Sequence, residues 1–91
     1  MTLMKTTIDQ EIPLLFMAFI AQDDIRLEHF MSLTGMGPGH MKNRLSDTDF
    51  QAMVLDYGLE NETLILEFTA HHGLQPDAVL RSRRKLPGAT W

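Results

Sequence analysis

The chain runs out of helix twice in the same way. Phe30 to Pro38 reads F-M-S-L-T-G-M-G-P, and Phe68 to Pro76 reads F-T-A-H-H-G-L-Q-P. In each stretch an apolar-periodic segment meets a glycine, then an apolar residue, then a proline two positions further on. Glycine takes the left-handed conformation that ends a helix, and the residue after it commonly folds back onto the last turn. Proline suits the first turn of the next helix, where its missing N–H costs little. A chain punctuated in this way folds as short helices joined by tight turns. No segment alternates with period two, and β-branched residues are few. The expected class is all-α, a compact bundle of about six short helices.

In chain order, residues 1–8 read as frayed and Asp9 as an N-cap, which puts Pro13 at the end of a first turn. From Ile12 to Ala21 nearly every residue is apolar, the mark of a helix buried on most sides. Asp23 or Asp24 caps a second helix to Thr34, with Leu27, Phe30, Met31 and Thr34 inward. Gly35 ends it in a Schellman turn, and Pro38 opens a short third helix with Met41 and Leu45 inward. Asp47 caps a fourth, whose stripe is Phe50, Met53, Val54 and Tyr57 and whose end is Gly58. Asn61 opens a fifth with Leu64, Ile65, Phe68 and Thr69 inward, closed by Gly73. Pro76 opens the sixth, which reaches about Leu86 before Pro87-Gly88. The expectation is a single domain over residues 1–91, with a core at about 9–86 and a C-terminal tail at 87–91.

Sliding the chain by 38 residues aligns its halves. Asp9 then meets Asp47, Phe30 meets Phe68, Gly35 meets Gly73 and Pro38 meets Pro76. Each half reads cap, helix, turn, helix, glycine, apolar residue, proline, helix. Two pseudo-repeated three-helix units packed about a pseudo-twofold axis are the corresponding expectation.

Charge is spread unevenly. Residues 1–80 hold all 12 acids against four Lys/Arg, a formal charge of −8, while residues 81–91 carry +4. An acidic body disfavours general nucleic-acid affinity, because phosphate binding needs positive charge. On the last helix Arg81, Arg84 and Lys85 point outward together, and Arg83 falls beside Val79 and Leu86, where it would snorkel. These three outward cations are the candidate anion or nucleic-acid contacts. The glycine at position 73 also stands where a helix-turn-helix keeps one. Helix termination explains that glycine equally well, and cations suit a helix C-terminus.

Other chemistry finds little support. There is no cysteine, hence no disulfide, thiol nucleophile or thiolate metal site. His71 and His72 are sequence neighbours, about 100° apart on a helix, and no H-x-x-x-H spacing occurs. No G-x-S-x-G elbow or phosphate-binding loop is present. No catalytic, cofactor or metal residues are therefore expected. The longest apolar run, Leu14 to Ala21, has 8 residues against the roughly 20 of a membrane span, so the reading is a soluble, cytoplasmic protein without membrane contact. Seven methionines are many for this length, and methionine serves adaptable surfaces as well as cores. Met36, Met41 and Tyr57, with Trp91 in the tail, are the candidate protein contacts.

F-x-x-L-T-G-M-x-P at Phe30 to Pro38, V-L-D-Y at Val54 to Tyr57 and E-x-x-L-x-x-F-x-x-x-x-G-L-x-P at Glu60 to Pro76 together resemble a small, uncharacterised bacterial family. It is the domain of unknown function thirty-five seventy-two. F-I-A-Q-D at Phe19 to Asp23 and G-L-x-P-x-x-V at Gly73 to Val79 extend the similarity over roughly Ile12 to Leu86. Two departures stand out: Tyr57-Gly58-Leu59 follows Asp56, and Gly39 replaces a helix former. The resemblance implies an all-helical fold and no catalytic residues. The functional expectation is a non-enzymatic protein-interaction or regulatory module, binding itself or another protein. The alternative is helix-turn-helix-like nucleic-acid binding through the basic last helix.

Overall fold

In the computed structural model, residues 4–89 are described, with side chains from Gln10 onward. Six helices follow one another: α1 Met4–Ala21, α2 Asp24–Thr34, α3 Pro38–Asn43, α4 Thr48–Leu59, α5 Glu62–His72 and α6 Ala78–Arg84. No strand occurs among the described residues. The radius of gyration is 12.6 Å, close to the roughly 12 Å of a compact chain of this length.

The first helix begins earlier than the sequence suggests. Asp9 falls inside α1 rather than at its cap, and Pro13 lies within the helix. Proline there deletes one bond to the residue four before it. The apolar face of Ile12, Phe16, Met17, Phe19 and Ile20, buried against α2, α4 and α6, carries the helix through that defect.

Three caps match the expected chemistry. Asp23 accepts from the N–H groups of Ile25 and Arg26, Asp47 from that of Asp49, and Asn61 from that of Leu64. Each satisfies one or two of the donors a helix start leaves open. Arg44 Nε donates to Asp47 at 2.9 Å and steadies that cap.

Gly35 (φ 73°) and Gly73 (φ 64°) are both left-handed, as their place in the sequence requires. They close their helices differently. Gly73 makes a Schellman turn, with Leu74 N–H donating to Thr69 O at 2.8 Å. At Gly35 its own N–H donates to Met31 O at 2.8 Å, the simpler left-handed cap, in place of the expected Schellman turn. The restarts also differ. Pro38 is the first residue of α3, whereas Pro76 sits in a turn closed by Ala78 N–H to Gln75 O, and α6 starts only at Ala78.

Gly58 does not end a helix. It lies buried inside α4, which continues to Leu59. A Cβ on residue 58 would stand 2.5 Å from two ring atoms of Phe16 and 3.3 Å from Ile65 Cδ1. The glycine lets α1 approach α4 closely. Helix α4 is buried over a wide arc through Phe50, Ala52, Val54, Leu55 and Gly58, and so shares the central place with α1. Leu45, expected inward, is exposed because α3 ends at Asn43 before reaching it. The rings of Phe16 and Phe68 meet edge to face at 4.9 Å and join α5 to this core.

Two outcomes follow. Gly58→Ala should lower stability in urea denaturation, because overpacking of about 1–3 kcal/mol outweighs a helix-propensity gain of up to about 1 kcal/mol. Adding Phe16→Leu should recover part of the loss. The second concerns pH. The Asp49 N–H, helped by Arg44, holds the Asp47 carboxyl below the usual carboxylate value, with desolvation opposing. Its stabilisation is present above about pH 4 and is lost as pH falls through the lower folded value. Asp47→Asn keeps the cap acceptor and should flatten that part of the acid limb of a pH–stability curve.

Candidate functional site

Along one side of the bundle α2, the end of α4 and the start of α5 enclose an open groove of about 220 Å³. Ile25, Arg26, His29, Tyr57, Leu64 and Glu67 line it, with Asn61 and Thr63. Each element delivers its residues for a local reason. The Asp23 cap starts α2 so that Leu27, Phe30, Met31 and Thr34 turn toward the core, as the sequence stripe requires. Ile25 and His29, at i and i+4, then reach the groove lining, and Leu33, at i+8 on the same helix, is left exposed outside it. Ile25 is 80% exposed and Leu33 65%. The Asn61 cap places Thr63, Leu64 and Glu67 on the facing flank of α5.

Polar groups fix the groove walls. The Tyr57 hydroxyl lies 2.7 Å from His29 Nδ1, and the Tyr57 ring packs edge-on against Phe30 at 5.1 Å. Burial pushes the Tyr57 phenol above its ordinary value, with the Arg26 charge opposing. It therefore stays neutral across physiological pH. Arg26 pairs with Glu67 across the groove, lies 4.0 Å from Asp23, and stacks over the Phe19 ring at 4.8 Å. One guanidinium thus ties α2 to α5 and α1. The groove offers an apolar strip between fixed polar groups, an arrangement suited to holding a side chain of a partner.

The basic end divides. Arg81 and Arg84 on α6, and Lys85 just past its end, are exposed, as expected. Arg81 Nη1 is 2.6 Å from Asp77 one turn earlier. Lys85 also edges a second hollow of about 200 Å³ with Gln10, Pro13, Gln51, Ser82 and Leu86. Arg83 does not snorkel. It is buried, 4% exposed, and its Nε and Nη2 donate to the two Asp56 oxygens at 2.7 and 3.4 Å. Its Nη1 donates to the carbonyls of Pro87 and Leu86 at 2.9 and 3.4 Å. Helix α6 packs principally on α1 and α4, and this fork pins it to α4.

Of the candidate protein contacts, Tyr57 lines the groove. Met36 and Met41 are core residues: Met36 folds in behind Gly35, and Met41 is the inward residue of α3. No exposed patch forms on them. Trp91 lies outside the described residues. His71 and His72 stack on Phe19 and Phe68. Among the described residues no group of three or more His, Asp or Glu could hold a metal, and no helix is long and apolar enough to cross a membrane. Ile25 and Leu33 were not singled out from sequence. The signal was present, since neither of them falls on the Leu27–Phe30–Met31–Thr34 stripe.

The model of a family described as "Protein of unknown function (DUF3572)" matches residues 9–89. No curated protein and no solved structure matches the chain.

Truncating the Asp56–Arg83 pair should be asymmetric. Asp56→Ala leaves a buried guanidinium without its counter-charge, and should cost about 1–3 kcal/mol. Arg83→Met keeps volume and leaves a carboxylate whose side chain is already 43% exposed, so it should cost less. Thermal unfolding of both variants at equal ionic strength measures the difference.

Proposed function

The chain belongs to the DUF3572 family, whose description names no activity, and from that premise we propose that the protein is a non-enzymatic, cytoplasmic interaction module that binds another protein through the α2–α4–α5 groove. The observation carrying this reading is Ile25, an aliphatic side chain left in water in the groove lining, with Leu33 exposed further along the same helix. Burying one such side chain in an interface is worth up to about 1.5–3 kcal/mol. Tyr57 adds a half-buried aromatic ring with a polar tip, the kind of anchor that concentrates binding energy.

The nucleic-acid alternative draws less support. Arg81 and Arg83 are engaged with Asp77 and Asp56. Helix α6 has seven residues, a length of roughly 10 Å, and the end that would approach base edges begins with Asp77.

A photo-crosslinking amino acid placed at position 25 or 33 tests the docking reading in the native cell. Discrete protein adducts should form from both positions and not from exposed Ala18 on α1. Equal labelling from all three positions, or none from 25 and 33, would contradict it. Ile25→Ser with Leu33→Ser should abolish adducts trapped from position 29 while leaving the melting temperature nearly unchanged, because neither side chain supports the core.

A further inference from the structure

Resting on that docking reading, we infer the class of its occupant: a basic amphipathic helix of a partner protein. Shape argues for a helix. Among the described residues there is no strand, so the face presents no open sheet edge to which an extended peptide could add. The two most exposed large apolar residues instead lie along α2. Ile25 and Leu33 are eight positions apart, roughly 12 Å of helix rise. A helix laid beside α2 presents its own apolar residues at i, i+4 and i+7 over the same distance.

Charge argues for a basic partner. Asp23, Asp24 and Glu28 stand beside Ile25 and His29 on α2, Glu60 precedes Asn61, and Glu67 lines the groove. Of these carboxylates only Glu67 is in the groove lining, and it and Asp23 are engaged by Arg26, which also lies over Phe19; Asp24, Glu28 and Glu60 remain as exposed carboxylates on the flanking residues. A partner bearing Lys or Arg beside its apolar stripe meets complementary potential, while an acidic one is repelled. The apolar pair supplies the contact, and the carboxylate rim selects the sign of what makes it.

The test uses the full chain, isotope-labelled for amide-shift mapping, and three synthetic peptides of about 14 residues, long enough for a helix to form. All share one leucine stripe at i, i+3, i+4 and i+7, and their polar positions are all Lys, all Gln or all Glu. The Leu/Lys peptide should shift the amides of Ile25, His29, Leu33, Tyr57 and Glu67. It should bind about tenfold more tightly than the Leu/Gln peptide at low salt, with the advantage shrinking as salt rises. Glu28→Lys with Glu60→Lys, both exposed positions, should remove most of that advantage. Equal binding of the three peptides at this face would overturn the charge assignment and leave the docking reading standing. Shifts elsewhere only, or none with any peptide, would overturn both. Concentration-dependent shifts of the same amides without peptide would identify a second copy of the chain as the occupant and overturn the separate partner.

Discussion

The ring of Phe16 occupies the space that a side chain on residue 58 would need. This close approach sets the separation of α1 and α4, and the rest of the bundle is arranged around that pair. Phe68 closes on Phe16 from α5, and Phe30 on Tyr57 from α2. Helix α6 lies across both central helices through Val79, Ser82 and Arg83. The glycine at 58 carries no unusual backbone angle. Its value is the absence of a Cβ, which close helix packing requires and helix propensity penalises.

The second fixed point is ionic. A buried guanidinium is tolerated only when its donors are satisfied. Arg83 meets that condition by reaching Asp56 on α4 and two carbonyls just past its own helix. The pair draws the chain after α6 back onto the bundle and fixes the position of a helix too short to persist by itself. The core therefore explains Arg83 and Gly58, and leaves on α2 the two most exposed large apolar side chains among the described residues, Ile25 and Leu33, ahead of Leu66, Leu14 and Leu45. Helices α1, α4 and α6 pack mutually as a stem, and the proposed docking groove lies on the α2–α5 side of it.

Local punctuation was legible in the sequence. Asp23, Asp47 and Asn61 cap helices, and Gly35 and Gly73 are left-handed, because each effect acts within about one turn of chain. Where a residue answers to something distant, the reading failed. Gly58 resembles a helix stop, since termination and close approach both call for glycine. Only the Phe16 ring, 42 positions earlier in the chain, tells them apart. Arg83 could be placed on the inner side of its helix, but it was expected to snorkel because its partner Asp56 lies 27 positions away. Pro13 suggested a helix start because the packing that carries α1 through it is tertiary. At the groove, Tyr57 could be named as a contact, but Ile25 passed as an ordinary first-turn residue. Exposure belongs to the assembled surface and not to the residue. The shared glycine–proline pattern is real in both halves, yet its two turns close and restart differently.

Native-state hydrogen exchange tests the central claim most directly, which is that α1, α4 and α6 form one cooperative stem. Slow amides in all three helices should open with the same free energy and the same denaturant dependence, equal to global unfolding. If α6 opened at much lower free energy than α1 and α4, the Arg83–Asp56 fork would not join it to the core. The stem, and the rigid support it gives the groove, would then be wrong.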